Sequence, residues 1–310
     1  FERYDAQVQT NTISTVQSDA AVVRIRGTQK ALAMTTDANP RYLYLDPYLG
    51  GQIAVSEAAR NVVATGGKPL AITDCLNFGS PEDPESYYEL AQAINGMAAA
   101  CDVFDTPVIS GNVSLYNEFN RQPIYPTPMV GMVGIIEDPA WITTLDFKQT
   151  GDLIYVLGET TDALNGSELQ KMQLGHVEGK LFDFDLQYEI DQQRLVSDLI
   201  HEGLLASVHD LAEGGLAIAL AESAFAGEIG FNVQTDLAAT ELFAENQSRF
   251  LVTVTPANRE HFEAKTAGKA MLLGRVGGDR LKISTTDDML DVGLMAAETS
   301  WKEALAWQLN

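Results

Sequence analysis

The sequence contains few cysteines and no long apolar run. Cys75 lies in an apolar segment and Cys101 at the end of a helical pattern, and they are the two cysteines among 310 residues. Two small buried thiols in a reducing compartment are therefore expected rather than a disulfide framework. There is no run of about eighteen apolar residues and no basic-then-apolar N-terminal signal, so we predict a cytoplasmic protein without a membrane partner. The chain begins at Phe1 rather than Met, which indicates a piece cut from a longer chain.

Basic residues are scarce relative to acidic ones. The chain has 20 Lys and Arg against 43 Asp and Glu, a formal net charge of -23 with a sequence pI near 4.4. A field of this sign repels polyanions, so nucleic acid is not expected as a partner. A phosphate ligand would need a metal ion and backbone N–H groups to offset that field.

What the sequence does contain is typical of a globular α/β (α+β) protein with two packed domains. Hydrophobic residues make up 45% and charged residues 20% of the chain, and the length suffices for two cores. A polar, Pro- and Gly-containing stretch near 137–151 predicts the boundary. We therefore predict a linker over 1–18, an N-terminal domain over 19–145 and a C-terminal domain over 146–310.

Hydrophobic periodicity predicts the elements of both domains. In the first, we expect a hairpin at 20–26 and 30–36, a helix at 50–66, a strand at 69–76, a helix at 85–103 and strands at 107–110 and 128–136. In the second, we expect strands at 152–158, 206–211, 250–255, 271–276 and 281–284, with helices at 187–203, 213–226, 258–265 and 292–307. The strand-helix-strand unit at 69–110 predicts a parallel strand pair.

Polar residues follow the apolar runs of this strand pair. The first run reaches Asp74 and Asn77, and the second opens into Gly111-Asn112-Val113-Ser114. Ligands bind at such strand ends in open α/β sheets, so Asp74 and Asn112 are expected to converge on one site. The alternative is that both residues form Asx turns that end the strands, and the residue pattern alone favours this second interpretation.

Four ordered motifs resemble the formylglycinamidine ribonucleotide synthase family, the large synthetase subunit of purine biosynthesis. The motifs are Asp37-Ala38-Asn39-Pro40-Arg41-Tyr42, the stretch 50–61, Thr73-Asp74-Cys75-Leu76-Asn77-Phe78-Gly79-Ser80-Pro81, and Gly111-Asn112-Val113-Ser114-Leu115-Tyr116-Asn117-Glu118. Weaker similarity continues through 157–160, 208–216 and 245–250, so the resemblance covers nearly the whole chain.

This resemblance implies a fold and a set of site residues. In the family each half of the subunit is built like an aminoimidazole ribonucleotide synthetase, with an N-terminal and a C-terminal α/β domain, and this chain is similar to the C-terminal half. The matching positions imply that Asp74 and Gly111 contact ATP, that Asn112 holds Mg²⁺, and that Ser114 contacts formylglycinamide ribonucleotide. Hard oxygen ligands of these types suit magnesium and phosphate.

The resemblance also implies an activity and its partners. The family is an ATP-dependent carbon–nitrogen ligase that converts formylglycinamide ribonucleotide and glutamine-derived ammonia to the amidine, in de novo purine biosynthesis. The implied partners are the N-terminal half of the subunit, a glutamine amidotransferase subunit and a small bridging subunit. An isolated half is expected to form a homodimer, because its surface for the related half is expected to be apolar.

The chain departs from the family pattern where catalysis is expected. The first half carries a Lys, a metal-binding Glu and a catalytic His around a Glu-Ser-His-Asn-His-Pro motif, and the matching strand here has Ala33, Thr35 and Asp37. We therefore assign no catalytic residue to this chain and expect it to be inactive alone.

Other polar positions are expected to be structural. Asp210 and Gln247 match metal- and substrate-contacting positions of the first half, but the remaining ligands of that site are missing, and a metal site needs its full ligand set. His201 and His209 lie elsewhere, and each is expected to be a packing or surface histidine.

Two alternatives stay open at this level. One is another enzyme of the superfamily, such as aminoimidazole ribonucleotide synthetase, selenophosphate synthetase or thiamin monophosphate kinase, although the Leu-Asn-Phe-Gly and Gly-Asn-Val-Ser-Leu-Tyr-Asn motifs argue against it. The other is a catalytically silent scaffold that docks partner subunits. Binding of Mg-ATP to the chain would distinguish the scaffold from the ligase.

Overall fold

The structure is a computed structural model that describes residues 10–14 and 18–309. The described strands are β1 (Thr12–Ser14), β2 (Ala21–Arg24), β3 (Ala31–Asp37), β4 (Lys68–Asn77), β5 (Val108–Ser114), β6 (Glu118–Phe119), β7 (Gln122–Pro123), β8 (Thr127–Ile136), β9 (Leu153–Leu157), β10 (Ser207–Asp210), β11 (Phe231–Gln234), β12 (Phe250–Val254), β13 (Ala270–Val276), β14 (Arg280–Ser284) and β15 (Met289–Gly293). The described helices are α1 (Pro40–Leu45), α2 (Pro47–Ala64), α3 (Pro84–Phe104), α4 (Glu168–Leu174), α5 (Leu186–His201), α6 (Gly215–Gly227), α7 (Arg259–Thr266) and α8 (Leu294–Leu309).

The first sheet has the strand order β1-β2-β3-β8-β4-β5. The predicted hairpin is confirmed as β2 and β3, and the predicted strand-helix-strand unit is confirmed as β4, α3 and β5 with its two strands parallel.

The two long helices of the first domain, α2 and α3, begin where an aspartate precedes a proline. Asp46 accepts a hydrogen bond from Leu49 N ahead of α2, and Asp83 accepts one from Ser86 N ahead of α3. These caps satisfy backbone donors that the first helical turn leaves unpaired.

Helices α2 and α3 cover one face of this sheet. The buried residues of α2, α3, β3, β4 and β8 form one apolar core, which includes Val62, Ile72, Met97 and Val130. Strand residues on the opposite face are more exposed, such as Met34 at 36%, Leu70 at 41% and Met129 at 42%. The described part of the chain therefore leaves one face of the first sheet uncovered.

The second sheet is covered on both faces. Its order is β10-β12-β9-β13-β11-β14-β15, and all five residues of the interior strand β9 are buried. Ile154 and Val156 belong to the core formed with α6, whereas Leu153, Tyr155 and Leu157 belong to the core formed with α5 and α7. A strand that is buried on both faces has apolar residues at successive positions. Residues 153–157 have this pattern, and the sequence predicted a strand there.

The two sheets are separate, but the helices between them are in contact. Strand β8 ends at Ile136 and β9 begins at Leu153, so the expected boundary near residue 145 falls in the connection between the sheets. Helix α2 of the first unit packs against α5 and β10 of the second. No helix within the described residues is both long and apolar enough to span a membrane.

Three features differ from the sequence-based expectations. Thr12–Ser14, within the expected linker, is instead a strand, because its alternating residues pair with Val22 and Val23 at the sheet edge; residues 1–9 and 15–17 lie outside the described part. Strand β5 continues to Ser114 rather than ending at Ser110, because its backbone stays in register with β4. The short elements β6, β7, β11, β15 and α1 were not expected from the sequence.

Candidate functional site

The residues expected to bind ATP, Mg²⁺ and substrate lie on two neighbouring strands. The register pairs Asp74 with Gly111, Cys75 with Asn112, and Asn77 with Ser114. Side chains alternate between the faces of a sheet. Asp74, which is also paired with the buried Val130 of β8, therefore lies on the helix-covered face, and Asn112 and Ser114 lie on the uncovered face. The four residues are brought together, but Asp74 and Asn112 face opposite sides of the edge of the sheet.

Gly111 is required by the position of the Asp74 carboxylate. A Cβ atom on Gly111 would lie 2.1 Å from Oδ1 of Asp74 and 3.1 Å from its carbonyl oxygen. Only a residue without a side chain lets this carboxylate approach the β5 backbone so closely. The Asp74 side chain is half-buried, and this burial raises its pKa. The Asp74–Gly111 pair is thus a packed unit in which the glycine sets the place of the carboxylate.

The turn after β5 is held by an asparagine that the sequence-based assignment did not single out. Asn117 Nδ2 donates to Ser114 O at 2.8 Å, to Ser114 Oγ at 3.2 Å and to Phe78 O at 3.1 Å. Glu118 Oε1 accepts from Ser80 N at 3.1 Å. The two motifs that contain these residues are therefore bonded to one another, and Asn117 orients the Ser114 hydroxyl. Asn117 lies within the family motif at 111–118, and this position in the motif could have identified it.

The donor types on these strands fit a magnesium ion. Asn112 and Ser114, on the uncovered face, offer amide and hydroxyl oxygens, which are hard ligands of the kind that Mg²⁺ prefers, whereas the Asp74 carboxylate lies on the opposite face. Asn112 is exposed, and no hydrogen bond to its side chain is found within the described residues. Its amide oxygen is therefore free to bind a ligand, although the sequence placed it in a loop and the structure places it within β5.

A second group of polar residues lies where the two domains meet, with Glu57 and Asp210 buried, Asp37 half-buried and Glu213 exposed. It includes acidic side chains whose pKa values are raised, and burial is the largest cause for each. They are Asp37, raised well above its usual value; Glu57, also raised well above its usual value; Asp210, raised to about 7; and Glu213, raised. Mutual repulsion adds to the effect of burial, since Asp37 and Glu57 both have Glu213 and Asp210 as acidic neighbours.

Asp210 and Gln247 belong to this group. The Asp210 carboxylate lies 3.6 Å from Nε of Arg60, and Gln247 Oε1 accepts a hydrogen bond from Nη2 of Arg60 at 2.5 Å. Both residues therefore have the structural contacts that were expected for them. Glu57 and Arg60 were missed, because on the small-residue helix α2 they were interpreted as part of a helix that packs through its apolar face. The signal in the sequence was the presence of these two charged residues among the alanines of α2.

The two histidines have different environments. His201 is exposed and its ring lies 4.0 Å from that of Trp141, so it is the surface histidine that was expected. His209 is buried and ion-paired, with Nδ1 2.6 Å from Asp19 Oδ1 and Nε2 3.2 Å from Glu222 Oε2. His209 is therefore buried in structural contacts, and its ion pairs also link the segment before β2 to the second domain.

The first family motif is also an interdomain contact. Arg41 Nη1 lies 2.6 Å from Glu168 Oε1, and Arg41 Nη2 lies 3.5 Å from Glu245 Oε2. Tyr42 donates its hydroxyl to the same Glu245 carboxylate at 2.7 Å. The motif at 37–42 thus contacts the motif at 245–250 across the domain boundary. This contact gives a physical reason for the residue types in both motifs.

Three clefts lie beside the loop that follows β9. Their volumes are about 460, 420 and 560 Å³, and Glu159, Thr161, Tyr188 and Asn246 each border two of them. None of these three clefts is lined by Asp74, Gly111, Asn112 or Ser114. The predicted ligand residues therefore lie on an open strand edge, outside these cavities.

Comparison with known proteins gives two family models and several relatives. The N-terminal domain of AIR synthase related protein matches residues 17–136, and the C-terminal domain of AIR synthase related protein matches residues 149–285. Phosphoribosylformylglycinamidine synthase subunit PurL of Lacticaseibacillus paracasei is 54% identical, and that of Leuconostoc mesenteroides is 51% identical. Each match covers 100% of this chain and 42% of the relative, so the chain spans about two fifths of their length.

Solved structures agree with this fold. The structure of T. maritima PurL complexed with FGAR has a TM-score of 0.75 at 17% identity, covering 93% of this chain and 48% of that chain. The structure of a HypE–HypF complex has a TM-score of 0.66 at 15% identity, covering 89% of this chain and 92% of that chain. The predicted two-domain α/β fold is confirmed. The chain belongs to the AIR synthase related proteins, carries both of that family's domains, and is similar over its whole length to part of the PurL subunit of phosphoribosylformylglycinamidine synthase.

Proposed function

We propose that this chain is part of the synthetase subunit of a phosphoribosylformylglycinamidine synthase. The reaction is the ATP-dependent conversion of formylglycinamide ribonucleotide and ammonia to formylglycinamidine ribonucleotide, ADP and phosphate. The observation that carries this proposal is an identity of 50–54% with three PurL subunits over 100% of the chain. Structures of T. maritima PurL complexed with FGAR and with ATP support the two substrate classes.

The β4–β5 edge supplies the nucleotide and substrate contacts in this proposal. Asp74 and Gly111 contact ATP, Asn112 is a ligand of Mg²⁺, and Ser114 contacts the ribonucleotide. The exposed amide of Asn112 and the oriented hydroxyl of Ser114 support these assignments. Magnesium would supply charge neutralisation during phosphoryl transfer to the substrate amide oxygen, and the contribution of the protein is mostly positioning.

The catalytic groups come from another part of the enzyme in this proposal. Ala33 is fully buried, and Asp37 accepts a hydrogen bond from Asn61 Nδ2 at 2.9 Å. Burial, followed by Glu213 and Asp210, raises the pKa of Asp37 well above its usual value. Strand β3 contains neither a lysine nor a histidine. The chain alone is therefore inactive as a synthetase and acts together with the N-terminal half of the subunit.

The remaining partners are subunits that deliver ammonia. We include a glutamine amidotransferase subunit and a small bridging subunit, and a cytoplasmic location for the assembly. A structure of PurLQS from Thermotoga maritima supports an assembly of this kind for that protein.

Reconstitution tests the proposed reaction. This chain, mixed with a separately made N-terminal half, should form ADP in the presence of ATP, Mg²⁺, ammonia and formylglycinamide ribonucleotide, and each half alone should not. ADP formation by this chain alone, above a control without protein, would contradict the division of roles. Equilibrium dialysis of the isolated chain with Mg-ATP distinguishes the scaffold alternative, because a silent scaffold binds no nucleotide.

Replacing Asn112 by Leu tests the metal assignment. The variant should fold normally, because an exposed side chain on an edge strand contributes little packing. Its kcat/KM in the reconstituted enzyme should fall by the equivalent of about 2–4 kcal/mol, as for other preorganised electrostatic groups. Raising magnesium should recover part of the loss. Ser110→Ala is the matched control, since Ser110 is exposed on the same strand and the same face. Wild-type turnover with unchanged magnesium dependence in the Asn112 variant would refute the assignment.

A further inference from the structure

The ends of β4 and β5 are tied together by the side chain of Asn117. Asn117 is half-buried in the turn after β5, and its Nδ2 donates to Ser114 O at 2.8 Å and to Phe78 O at 3.1 Å. Its backbone N also donates to Phe78 O at 3.1 Å, and its carbonyl oxygen accepts from Ile124 N at 3.0 Å. One residue therefore joins both strand ends to the β6–β7 hairpin.

These backbone contacts determine which way the Asn117 amide faces. A carbonyl oxygen only accepts hydrogen bonds, so the NH₂ group and not Oδ1 must face Ser114 O and Phe78 O. The same amide then lies beside the Ser114 hydroxyl, with Nδ2 at 3.2 Å and Oδ1 at 3.3 Å from Oγ. Within the described residues, no other hydrogen-bond partner of Ser114 Oγ is found. The direction of the Ser114 hydroxyl therefore depends on Asn117.

The backbone of this turn has a conformation that needs support from its neighbours. Tyr116 has a φ of 60°, in the left-handed region that residues other than glycine seldom occupy. Its side chain is 61% exposed, so packing of the ring does not hold it there. The bonds from Tyr116 N to Gly79 O at 3.0 Å and from Asn117 Nδ2 to Phe78 O hold the turn instead. Because such a backbone persists only where its contacts determine it, loss of the Asn117 amide should let the turn relax and move Ser114 with it.

Asn117 has no hydrogen bond to the residues proposed to bind ATP. Asp74 lies on the helix-covered face, where Gly111 sets the place of its carboxylate. Among the described residues, none of the hydrogen bonds of Asn117 reaches Asp74 or Gly111. Removal of the Asn117 amide should therefore disturb the Ser114 contact and leave the ATP contacts in place.

We propose that Asn117 is the positioning residue of the ribonucleotide contact: it acts on ribonucleotide binding through the Ser114 hydroxyl and does not act on the binding of ATP. This inference rests on the function proposed above, because it takes Ser114 as the contact of formylglycinamide ribonucleotide. Asn117 itself touches no substrate in this proposal. The turn after β5 thus serves one of the two substrates, although both bind at the same edge of the sheet.

A double-mutant cycle in the reconstituted enzyme tests the proposal. Asn117→Ala should raise the Michaelis constant for the ribonucleotide about tenfold, as for the loss of an oriented hydrogen bond, and that for ATP by less than about twofold. In a Ser114→Ala background, Asn117→Ala should raise the ribonucleotide constant by about twofold at most, because the hydroxyl that it orients is already absent. Thermal unfolding separates out the structural role. The fall in melting temperature on Asn117→Ala should be the same in both backgrounds, since the backbone carbonyls that Asn117 contacts are present in both.

Glu118→Ala is the matched control. Glu118 also joins the two motifs, since its Oε1 accepts from Ser80 N at 3.1 Å, but it makes no hydrogen bond to Ser114 within the described residues. It should change the ribonucleotide constant by the same factor with Ser or Ala at position 114. If Asn117→Ala is insoluble, Asn117→Ser, which suits a turn but lacks the amide, carries the same expectations.

The outcomes separate this proposal from the proposed function. Equal rises in the Michaelis constants for both substrates, or independent effects of the Asn117 and Ser114 variants, would overturn the role of Asn117 and leave the proposed function standing. Coupling of Glu118→Ala to Ser114→Ala as strong as that of Asn117→Ala would also overturn it, because the turn as a whole would then position the hydroxyl. An unchanged ribonucleotide constant in Ser114→Ala would overturn the assignment of Ser114 and this proposal with it.

Discussion

At the scale of single residues, one missing methyl group determines where the Asp74 carboxylate lies. Gly111→Ala would place a Cβ atom 2.1 Å from Asp74 Oδ1, so the carboxylate has to rotate away. We expect a higher Michaelis constant for ATP in the reconstituted enzyme and a loss of about 1–3 kcal/mol in the free energy of unfolding. Steady-state kinetics and urea titration measure the two effects.

Two further variants check this explanation. Gly293→Ala is the control, because a Cβ there would find its nearest atom 4.0 Å away. Adding Asp74→Ala to Gly111→Ala should recover stability without recovering affinity for ATP. Unchanged ATP affinity in Gly111→Ala would show that the position of Asp74 does not matter for nucleotide binding.

His209 makes stability depend on pH. Burial by itself lowers its pKa, but Asp19 and then Glu222 and Asp210 outweigh burial and raise the pKa well above its usual value. A raised folded-state pKa means that the ion pair contributes fully below about pH 6.5 and that the contribution is lost as pH rises through the folded value. His209→Gln should therefore lower the free energy of unfolding by about 1.5–3 kcal/mol at pH 6 and by less at pH 9.

Urea unfolding at the two pH values measures this difference. His201→Gln is the control, because His201 is exposed and no carboxylate among residues 10–14 and 18–309 forms an ion pair with it. An equal loss of stability at both pH values in His209→Gln would show that the ring acts by packing and not through its charge.

The residue types of the candidate site could be predicted from the sequence, but their faces could not. Asp74, Gly111, Asn112 and Ser114 were found through their motifs, and the parallel pairing of their strands followed from the helix between them. Which face each side chain takes depends on register. Because glycine and asparagine normally end strands, the pattern placed Asn112 in a loop, whereas pairing with Cys75 keeps it in β5.

At the scale of elements, α2 and α3 pack closely enough to require glycine. A Cβ on Gly96 of α3 would lie 2.0 Å from Tyr48 O of α2, and a Cβ on Gly51 of α2 would lie 2.4 Å from Ala93 O of α3. In an isolated helix, replacing Gly by Ala is stabilising by about 1 kcal/mol. Here we expect Gly96→Ala to be destabilising by about 1–3 kcal/mol, because the helices must move apart.

Chemical denaturation of the chain measures this change. The neighbouring Asn95→Ala is the control, since Asn95 is exposed on the same helix and gains helix propensity without a clash. A stabilised Gly96→Ala would show that the helix spacing adjusts without cost.

Long elements were predicted well, and short ones were not. The 18-residue α2 and the 21-residue α3 have periodic apolar faces and clear caps. Strand β11 has four residues and β15 has five, and the pattern of β15 mixes Asp291 with apolar residues. Such strands form because a neighbouring strand offers backbone partners, which a local pattern does not contain.

At the scale of the whole molecule, the edge of the first sheet is open and apolar. Strand β5 is the terminal strand and contains no charged residue, and Val108, Ile109 and Val113 are 50%, 71% and 54% exposed. Edges of this kind pair with other strands unless something covers them. We therefore expect the isolated chain to dimerise at roughly tens of micromolar. Added salt should strengthen the dimer by screening the charge of -23.

Sedimentation velocity at low and high salt measures this association. Ile109→Asp should shift the chain to a monomer, whereas Met295→Asp, at an 81% exposed position on α8, should not. A wild-type monomer under both conditions would contradict the expected dimer. The β5 edge would then be covered by the N-terminal half and not by a second copy of this chain.

The interdomain contacts lay beyond sequence reasoning for a different reason. Arg60 meets Glu189 across 129 positions and Gln247 across 187 positions, and no local pattern relates residues at such separations. Charged residues on an apolar helix are a signal that partners exist, but the fold alone identifies them.

The placement of Arg60 has a consequence for how the molecule comes apart. Its helix belongs to one domain, and Glu189, Asp210 and Gln247 belong to the other. If either domain opened first, buried charges would lose their partner while still inside protein, which costs several kcal/mol. The two domains should therefore melt as one cooperative unit, giving a single calorimetric transition in the wild-type chain. Two transitions would show that the interface does not couple them. A single transition would show that domain boundaries drawn along the sequence do not mark where the protein can be divided, because residues 149–285 alone would retain Glu189 and Asp210 and lack Arg60 as their counter-ion.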